Sequence, residues 1–409
     1  MDRSGFPEGD RKNPLIFGAA LSATGLRIAR TYGTSVLTFA RQIRQDSAFV
    51  IFFTHTLTSD PFGFSFIMHL TLKSAVDQLI QKQNLSSEQM QDCVGAIMDG
   101  ACDEVDIAAF LTAMACKRPA AIELVGAAQA MRDRAARIAT VRRPLLDTCG
   151  TGGDKLHTFN ISTATAIVAA ACGVNVAKHG NRSVSSKSGS ADVLETLGVN
   201  ILLTAEQSGR CLDEIGITFC FAPLIHGAMK HAAAIRKALE FPTIFNLLGP
   251  LTNPAGADYQ VLGARTNHHA RLLSSALSVL GCRHALVVCG NDELDEVCLW
   301  GPTRVYEVAL GQVKEAEWTP EDFGLEECNV ASLRVRTAEE SAAMITEAFN
   351  GVESAASRMI IANAAAALLA AEETSDLKAA VSRVTAALKD GTVRAKLEEL
   401  KQWTQSHAL

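Results

Sequence analysis

The sequence predicts an α/β protein in which a small all-helical N-terminal domain precedes a larger domain, with helices flanking a mostly parallel central sheet. Two patterns in the 409 residues carry this prediction. At 70–135, apolar residues recur every three or four positions, as they do on one face of an α-helix. After Arg143, short apolar runs alternate with helical patterns, which is typical of parallel strands joined by crossover helices.

The opening segment, residues 1–67, differs in composition from the rest of the chain. It holds nine of the 17 phenylalanines. Its most apolar stretch is interrupted by His55 and Asp60, so it lacks the roughly 18 consecutive apolar residues of a membrane span. No small-residue cleavage site typical of a signal peptide follows that stretch. We therefore expect an extension without a functional role, lying upstream of a natural start at Met68.

Residues 68–138 are the predicted helical domain. Their apolar spacing favours four short amphipathic helices, and capping signals at 84–88 and 103–106 precede two of them. Four short helices bury little apolar surface by themselves. We therefore expect this unit to pack on another part of the chain or on a second copy of itself.

Residues 139–409 are the predicted α/β domain. The predicted strands are 144–147, 174–177, 217–222, 259–264 and 285–289, and the helices between them include 162–172, 191–197, 205–215 and 270–280. In a parallel sheet the ligand crevice lies beyond the carboxyl ends of the strands. Functional residues are therefore expected in the loops that follow the strands.

Charge and cysteine content exclude several functional classes. The net charge is −6, from 38 basic and 44 acidic side chains, which disfavours binding to nucleic acid or to an anionic membrane. The 11 cysteines are an odd number, and none forms a Cys-x-x-Cys pair. This usage favours reduced thiols in a cytoplasmic protein over a disulfide framework or a zinc site.

The first loop after a predicted strand is Asp-Thr-Cys-Gly-Thr-Gly-Gly-Asp at 147–154. Its glycines allow backbone N–H groups to close around a phosphate. Ser162 and Thr163 then place hydroxyls at a helix N-terminus, where an anion is favoured. A simple glycine turn followed by a helix cap would use the same residues, so this loop alone leaves both interpretations open.

Two further segments follow predicted strands. The segment 178–192 places three cations, Arg182 and Lys187 among them, between several serines. This composition is typical of a clamp on a phosphorylated ligand, and also of a solvated loop. Asp295 and Glu296 offer adjacent carboxylates, which Mg²⁺ prefers. Together, the glycine loop, the basic segment and the acid pair indicate activation of a sugar diphosphate for displacement.

Several long motifs occur in order along the chain. They are Gly-Thr-Gly-Gly-Asp from 150, Thr-Phe-Asn-Ile-Ser-Thr from 158, Lys-His-Gly-Asn-Arg from 178, Ser-Ser-Lys-Ser-Gly-Ser-Ala-Asp from 185, and Thr-Ile-Phe-Asn-Leu-Leu-Gly-Pro-Leu-Thr-Asn-Pro from 243. The chain from about residue 70 onward closely resembles the anthranilate phosphoribosyltransferase family of tryptophan biosynthesis. The resemblance implies a nucleoside phosphorylase/phosphoribosyltransferase-like fold. It also implies phosphoribosyl transfer from phosphoribosyl pyrophosphate (PRPP) to the amine of anthranilate, with release of pyrophosphate.

The resemblance further implies site residues, a metal and an assembly. The implied PRPP-binding residues are Gly150, Gly153, Asp154, Thr158, Asn160, Ser162, Thr163, Lys178 and Ser190. The implied anthranilate-binding residues are Gly150, His179, Gly180, Asn181, His226 and Arg236. The implied ligands of two Mg²⁺ ions per subunit are Ser162, Asp295 and Glu296. The family also implies a homodimer formed through the helical domain, to which residues 229–239 return. No general acid or base is assigned, because an aryl amine already has a free lone pair.

Some positions depart from the family pattern. Gly227, Ala234 and Pro242 differ near the expected acceptor region, and Glu293 adds a carboxylate beside the metal pair, where it is expected to modify Mg²⁺ affinity. One alternative is a pyrimidine nucleoside phosphorylase-like enzyme, but its usual Lys-His-Ser-Thr-Gly-Gly loop is absent. The other is a non-enzymatic homologue that binds nucleic acid, which the acidic net charge disfavours.

Overall fold

The computed structural model describes residues 69–183 and 188–407. Three features of the sequence analysis lie outside the described residues: the extension at 1–67, the expected natural start at Met68, and Lys187. Within the described ranges the chain forms 16 α-helices and one seven-stranded sheet. No helix in these ranges has the length and apolar character needed to cross a membrane.

A helical unit opens the described chain. It consists of α1 (Leu70–Ile80), α2 (Ser87–Met98), α3 (Glu104–Lys117) and α4 (Ala121–Asp133). At the start of α2, the Ser86 hydroxyl accepts the Gln89 N–H and the Gln89 side chain accepts the Ser86 N–H. This reciprocal cap satisfies two backbone donors. Inside the unit, the buried Glu123 accepts the Leu85 N–H at 2.9 Å and Lys117 Nζ at 2.7 Å, so its charge is fully paired.

The central sheet has the spatial order β3-β2-β1-β4-β5-β6-β7. Its strands are β1 (Leu146–Asp147), β2 (Val176–Gly180), β3 (Ile217–Phe221), β4 (Tyr259–Gly263), β5 (His284–Gly290), β6 (Thr303–Ala309) and β7 (Gln312–Trp318). Leu146 pairs in parallel register with Val176 on one side and with Tyr259 on the other. The first five strands in spatial order are parallel, while β6 and β7 are antiparallel. The strand order reverses between β1 and β4, and a ligand crevice is expected at such a switch point.

Helices cover both faces of this sheet. They are α5 (Ile161–Ala171), α6 (Ser190–Thr196), α7 (Ala205–Ile215), α8 (Ala222–Ile225), α9 (Lys230–Leu239), α10 (Phe245–Leu248), α11 (Asn267–Leu280), α12 (Pro320–Phe323), α13 (Ala338–Phe349), α14 (Ala355–Ala370), α15 (Leu377–Lys389) and α16 (Thr392–Ser406). Successive residues of a strand point to opposite faces. Val261 of β4 therefore packs in the core formed with α5 and α14, and Leu262 packs in the core shared with α4 and α11. The helical unit and the sheet thus share one apolar core.

The predicted fold class is confirmed, with differences at the element ends. All five predicted strands are present, but β1 begins at Leu146. Pro144 has no N–H to donate to a ladder, and the Leu145 N–H donates to the Asp258 carboxylate at 2.9 Å instead. The antiparallel strands β6 and β7 were not predicted. Helix α9 packs against α2 and α3 and buries Ala232 and Ile235 there.

Candidate active site

The loop after β1 meets the segment after β5 at the switch point of the sheet. The Thr151 N–H donates to the Gly263 carbonyl at the end of β4, over 2.9 Å. The next N–H, of Gly152, donates to Asp295 Oδ2 over 2.6 Å. These two bonds bring the predicted glycine loop and the predicted acid pair to the same crevice.

Glycines are required where these segments cross. Gly152 and Gly153 have φ values of +68° and +78°, in the left-handed region that favours glycine. A Cβ on Gly150 would lie 2.6 Å from Asp295 Oδ2. A Cβ on Gly263 would overlap the Asp295 carbonyl oxygen and lie 2.5 Å from its carbonyl carbon. Only glycines allow the Asp295 backbone and carboxylate to approach this closely.

Three carboxyl groups cluster in the crevice. Asp154 and Asp295 share a side-chain hydrogen bond, which requires a proton on one of them. Burial, and then the neighbouring Asp154 charge, raise the pKa of Asp295 to about 7. Burial and the Asp295 charge raise the pKa of Glu296 as well, although Lys178 opposes the shift. These carboxyls are half-buried and repel one another, and carboxylate oxygens are the ligands that Mg²⁺ prefers, so a divalent cation bound beside them would relieve the repulsion.

A cation and a helix N-terminus converge beside these acids. Lys178 Nζ donates to the Thr148 carbonyl at 2.8 Å and lies 3.2 Å from Ser162 Oγ. Asn160 caps α5, since its Oδ1 accepts the Thr163 N–H at 3.0 Å. The buried Thr163 hydroxyl has no hydrogen-bond partner within the described residues. A lysine, two hydroxyls and a helix N-terminus together favour a phosphate group.

Glu293 and Asn363 hold the segment that carries Asp295 and Glu296. The sequence analysis predicted no structural role for either residue. Glu293 Oε1 accepts from Trp300 Nε1 at 2.9 Å and from Asn291 Nδ2 at 2.8 Å, and these bonds lower the pKa of Glu293. The carboxylate expected to modify metal affinity is thus held by neighbouring side chains. Asn363 accepts the Val297 N–H and donates to the Val297 carbonyl, both at 2.9 Å. The sequence signal that could have revealed Asn363 is its position as a polar residue within the alanine-rich α14, where it is buried.

Two histidines lie together on the other side of β2. The ring centroids of His179 and His226 are 5.2 Å apart in an edge arrangement. Burial lowers the pKa of His179 to about 4. Burial, and to a smaller extent the neighbouring His179, lower the pKa of His226 to about 3. Both rings are therefore neutral near pH 7. His179 Nδ1 lies 3.0 Å from the Gly249 carbonyl, which only accepts, so we assign the proton to Nδ1. The lone pair is then on Nε2, which is buried and has no hydrogen-bond partner within the described residues.

Polar residues beneath the histidines are buried. Asp147 accepts the His179 backbone N–H at 3.0 Å and Asn253 Nδ2 at 2.8 Å. Burial raises the pKa of Asp147 to about 6. Asn253 also donates to the Ala177 carbonyl at 2.7 Å. Asp147 and Asn253 therefore tie the end of β1 to strand β2, a role that the sequence motifs did not reveal.

The basic segment after β2 is partly paired with α6. Ser190 Oγ, at the first residue of α6, donates to the Asn181 carbonyl at 3.1 Å. A Cβ on Gly180 would collide with the Ser190 hydroxyl. Arg182, expected in a phosphate clamp, pairs instead with Glu195 at 2.6 Å and with a second acid of α6.

Two other predicted site residues, Thr158 and Arg236, make contacts outside the groups described above. Thr158 pairs with Arg334 in an isolated antiparallel bridge. Arg236 of α9 places its guanidinium 5.4 Å from the Phe245 ring centroid. Arg236 forms no ion pair in the part of the chain that the structure describes, and burial lowers its pKa. Its charge is therefore available to a ligand carboxylate.

Comparison with known proteins covers both parts of this architecture. Residues 142–394 match the glycosyl transferase family a/b domain, and residues 73–135 match the helical bundle domain of the same family. The anthranilate phosphoribosyltransferase of Ectopseudomonas mendocina is 45% identical over 341 residues, covering 82% of this chain and 97% of the relative.

Solved structures agree with this match. The crystal structure of anthranilate phosphoribosyltransferase from Thermus thermophilus has a TM-score of 0.77 at 38% identity, covering 81% of this chain and 99% of that one. The Saccharomyces cerevisiae enzyme in complex with PRPP and Mg has a TM-score of 0.76 at 27% identity, covering 82% and 98%. On this evidence the chain belongs to the anthranilate phosphoribosyltransferase family.

Proposed function

We propose that this protein transfers the phosphoribosyl group of PRPP to the amine of anthranilate and releases pyrophosphate, as a transferase of tryptophan biosynthesis. One observation carries the proposal: the glycine loop, the N-terminus of α5 and a cluster of carboxyls meet in the crevice between β1 and β4. Such a crevice can hold a diphosphate and the cation that accompanies it. The yeast relative, solved with PRPP and Mg, supports the same ligand here.

The sugar diphosphate would occupy the crevice beside Lys178. The proposed contacts are Gly150, Gly153, Asp154, Thr158, Asn160, Ser162, Thr163, Lys178 and Ser190. Lys178 and the N-terminus of α5 supply positive potential, and the glycines expose backbone N–H groups. These groups hold the leaving pyrophosphate in one orientation while the anomeric C–O bond breaks.

The acid cluster suits Mg²⁺, because its charges are under-compensated by the surrounding side chains. We propose Ser162, Asp295 and Glu296 as the holding residues, with two ions per subunit. When bound, Mg²⁺ would neutralise charge that develops on the departing pyrophosphate. Asn363 and Gly152 hold the acidic segment in position for this role.

Anthranilate would bind on the side of the two histidines. The proposed contacts are Gly150, His179, Gly180, Asn181, His226 and Arg236. Both imidazoles are neutral, so His179 Nε2 can accept a hydrogen bond from the amine and orient its lone pair. Arg236 would pair with the carboxylate. The amine nitrogen attacks the anomeric carbon, pyrophosphate departs, and the surplus ammonium proton passes to solvent.

We also propose a homodimer in the cytoplasm. Leu70, Ile80 and Val105 of the helical unit are 79%, 66% and 56% exposed, and apolar surface of this kind favours burial against a second copy. All 11 cysteines are free thiols, which suits a reducing compartment. Light scattering that gives a monomer mass would contradict the dimer.

The loss of anthranilate fluorescence on mixing with PRPP, Mg²⁺ and the protein tests the activity. Fluorescence should fall only when all three are present. A protein that instead cleaves pyrimidine nucleosides with inorganic phosphate would support the phosphorylase alternative. A protein that turns over neither substrate pair but shifts oligonucleotides in a salt-sensitive manner would support the nucleic-acid-binding alternative.

A further inference from the structure

One arginine at the switch point has no role in the site described so far. Arg265 lies two residues beyond the end of β4, and its Nη1 donates to the Gly153 carbonyl at 3.1 Å. Arg265 forms no ion pair with any residue in the described ranges, and no other hydrogen bond of its side chain occurs there. Its charge also acts on Asp154, where it offsets part of the burial that raises the pKa of that carboxyl.

The bond to Gly153 fixes the direction of the following amide. In a planar trans peptide the C=O and the next N–H point in opposite directions. Holding the Gly153 carbonyl toward Arg265 therefore directs the Asp154 N–H away from that arginine. Neither the Gly153 N–H nor the Asp154 N–H makes a hydrogen bond within the described residues. With Gly152 and Gly153 both in the left-handed region, two unpaired N–H groups lie on a turn suited to an anion.

We infer that Arg265 is a further diphosphate-binding residue. This inference rests on the proposed function. Its guanidinium has five N–H donors in a plane and uses one of them on the loop. The remaining fork can pair with a phosphate in bidentate geometry. Arg265 thus performs two tasks at the crevice. It positions the Gly153–Asp154 peptide, and it adds a cation to the diphosphate site at the carboxyl ends of β1 and β4.

Two substitutions separate this role from a purely structural one. Arg265→Gln removes the charge but keeps a donor for the Gly153 carbonyl, while Arg265→Lys keeps the charge and removes the planar fork. Calorimetry with pyrophosphate and Mg²⁺ measures binding without turnover, and steady-state kinetics give KM for each substrate. Arg271→Gln is the matched control, because Arg271 is an exposed arginine of α11 paired with Glu315.

Arg265→Gln should weaken pyrophosphate binding and raise the KM for PRPP by about tenfold or more, as expected for a lost charged hydrogen bond. Arg265→Lys should fall between Gln and wild type, and the KM for anthranilate should stay unchanged. Wild-type pyrophosphate affinity in Arg265→Gln, or an equal rise in both KM values, would overturn the inference. A wild-type protein that binds pyrophosphate through Arg265 but leaves anthranilate unconsumed would overturn the proposed acceptor and activity instead.

Discussion

Replacing Gly263 with alanine should disable the site, although Gly263 is not among the residues proposed to bind substrate or metal. The Asp295 backbone crosses the end of β4 at Gly263, where a Cβ would overlap the Asp295 carbonyl oxygen and lie 2.5 Å from the carbonyl carbon. Carbon atoms in favourable contact are about 3.5 to 4.0 Å apart. The Asp295 segment must therefore move by about 1 Å or more in the variant.

That movement has two consequences that can be given magnitudes. The 2.6 Å bond from the Gly152 N–H to Asp295 would stretch beyond hydrogen-bond range, uncoupling the glycine loop from the acid pair. A displacement of about 1 Å in positioned groups can lower a rate by about 100-fold, so we expect kcat/KM to fall by that order. Overpacking at a buried strand end should also lower the free energy of unfolding by about 1 to 3 kcal/mol.

Initial rates of anthranilate consumption across a Mg²⁺ titration, together with urea unfolding, measure both effects. Gly227→Ala is the matched control for unfolding, because a Cβ on Gly227 meets no atom of the described residues within 4 Å. Wild-type kcat/KM and unfolding in Gly263→Ala would refute the close approach of Asp295 as a requirement of the site.

Four other substitutions test separate features of the site. Asp295→Ala and Glu296→Ala should lower turnover most at low Mg²⁺, since each removes an anionic oxygen donor; rates that stay unchanged throughout a Mg²⁺ titration would reject their metal role. Arg236→Ala should raise the KM for anthranilate by about tenfold or more and the KM for PRPP less, and equal rises would count against the carboxylate pairing. The fold lowers the pKa of His226 from 6.5 to about 3. Below pH 6.5 the unfolded chain therefore binds a proton on His226 that the folded chain does not bind, and the free energy of unfolding decreases as the pH falls. His226→Leu should therefore gain roughly 2 kcal/mol in unfolding free energy relative to wild type between pH 8 and pH 5. A pH-independent difference in urea unfolding would contradict this.

Strands buried on both faces were predictable, because they appear in the sequence as short apolar runs. The fully buried β4 and β5 were predicted to within one residue at each end. The antiparallel β7 was missed because nearly all of its side chains are exposed, including Lys314, Glu315 and Glu317. Its pairing with β6 depends on backbone hydrogen bonds that leave no apolar pattern.

The residue types of the candidate site were predictable, but the contacts between distant segments were not. The glycine loop and the acid pair are more than 140 positions apart, and only the fold shows that Gly152 donates to Asp295. Arg182 illustrates the converse. The composition of its segment suggested a phosphate clamp, whereas the Arg182 charge is paired with acids of α6. Asn363 and Arg265 lie outside every motif described above. Their contacts are to backbone atoms of distant segments, which residue type alone does not predict.

The most direct test is a crystal structure of the protein with PRPP and Mn²⁺ in place of Mg²⁺. We expect the diphosphate in the crevice between β1 and β4, within hydrogen-bond distance of the glycine loop, and an anomalous manganese peak beside Asp295 and Glu296. A sugar diphosphate bound elsewhere on the molecule, or manganese held by other side chains, would contradict this expectation.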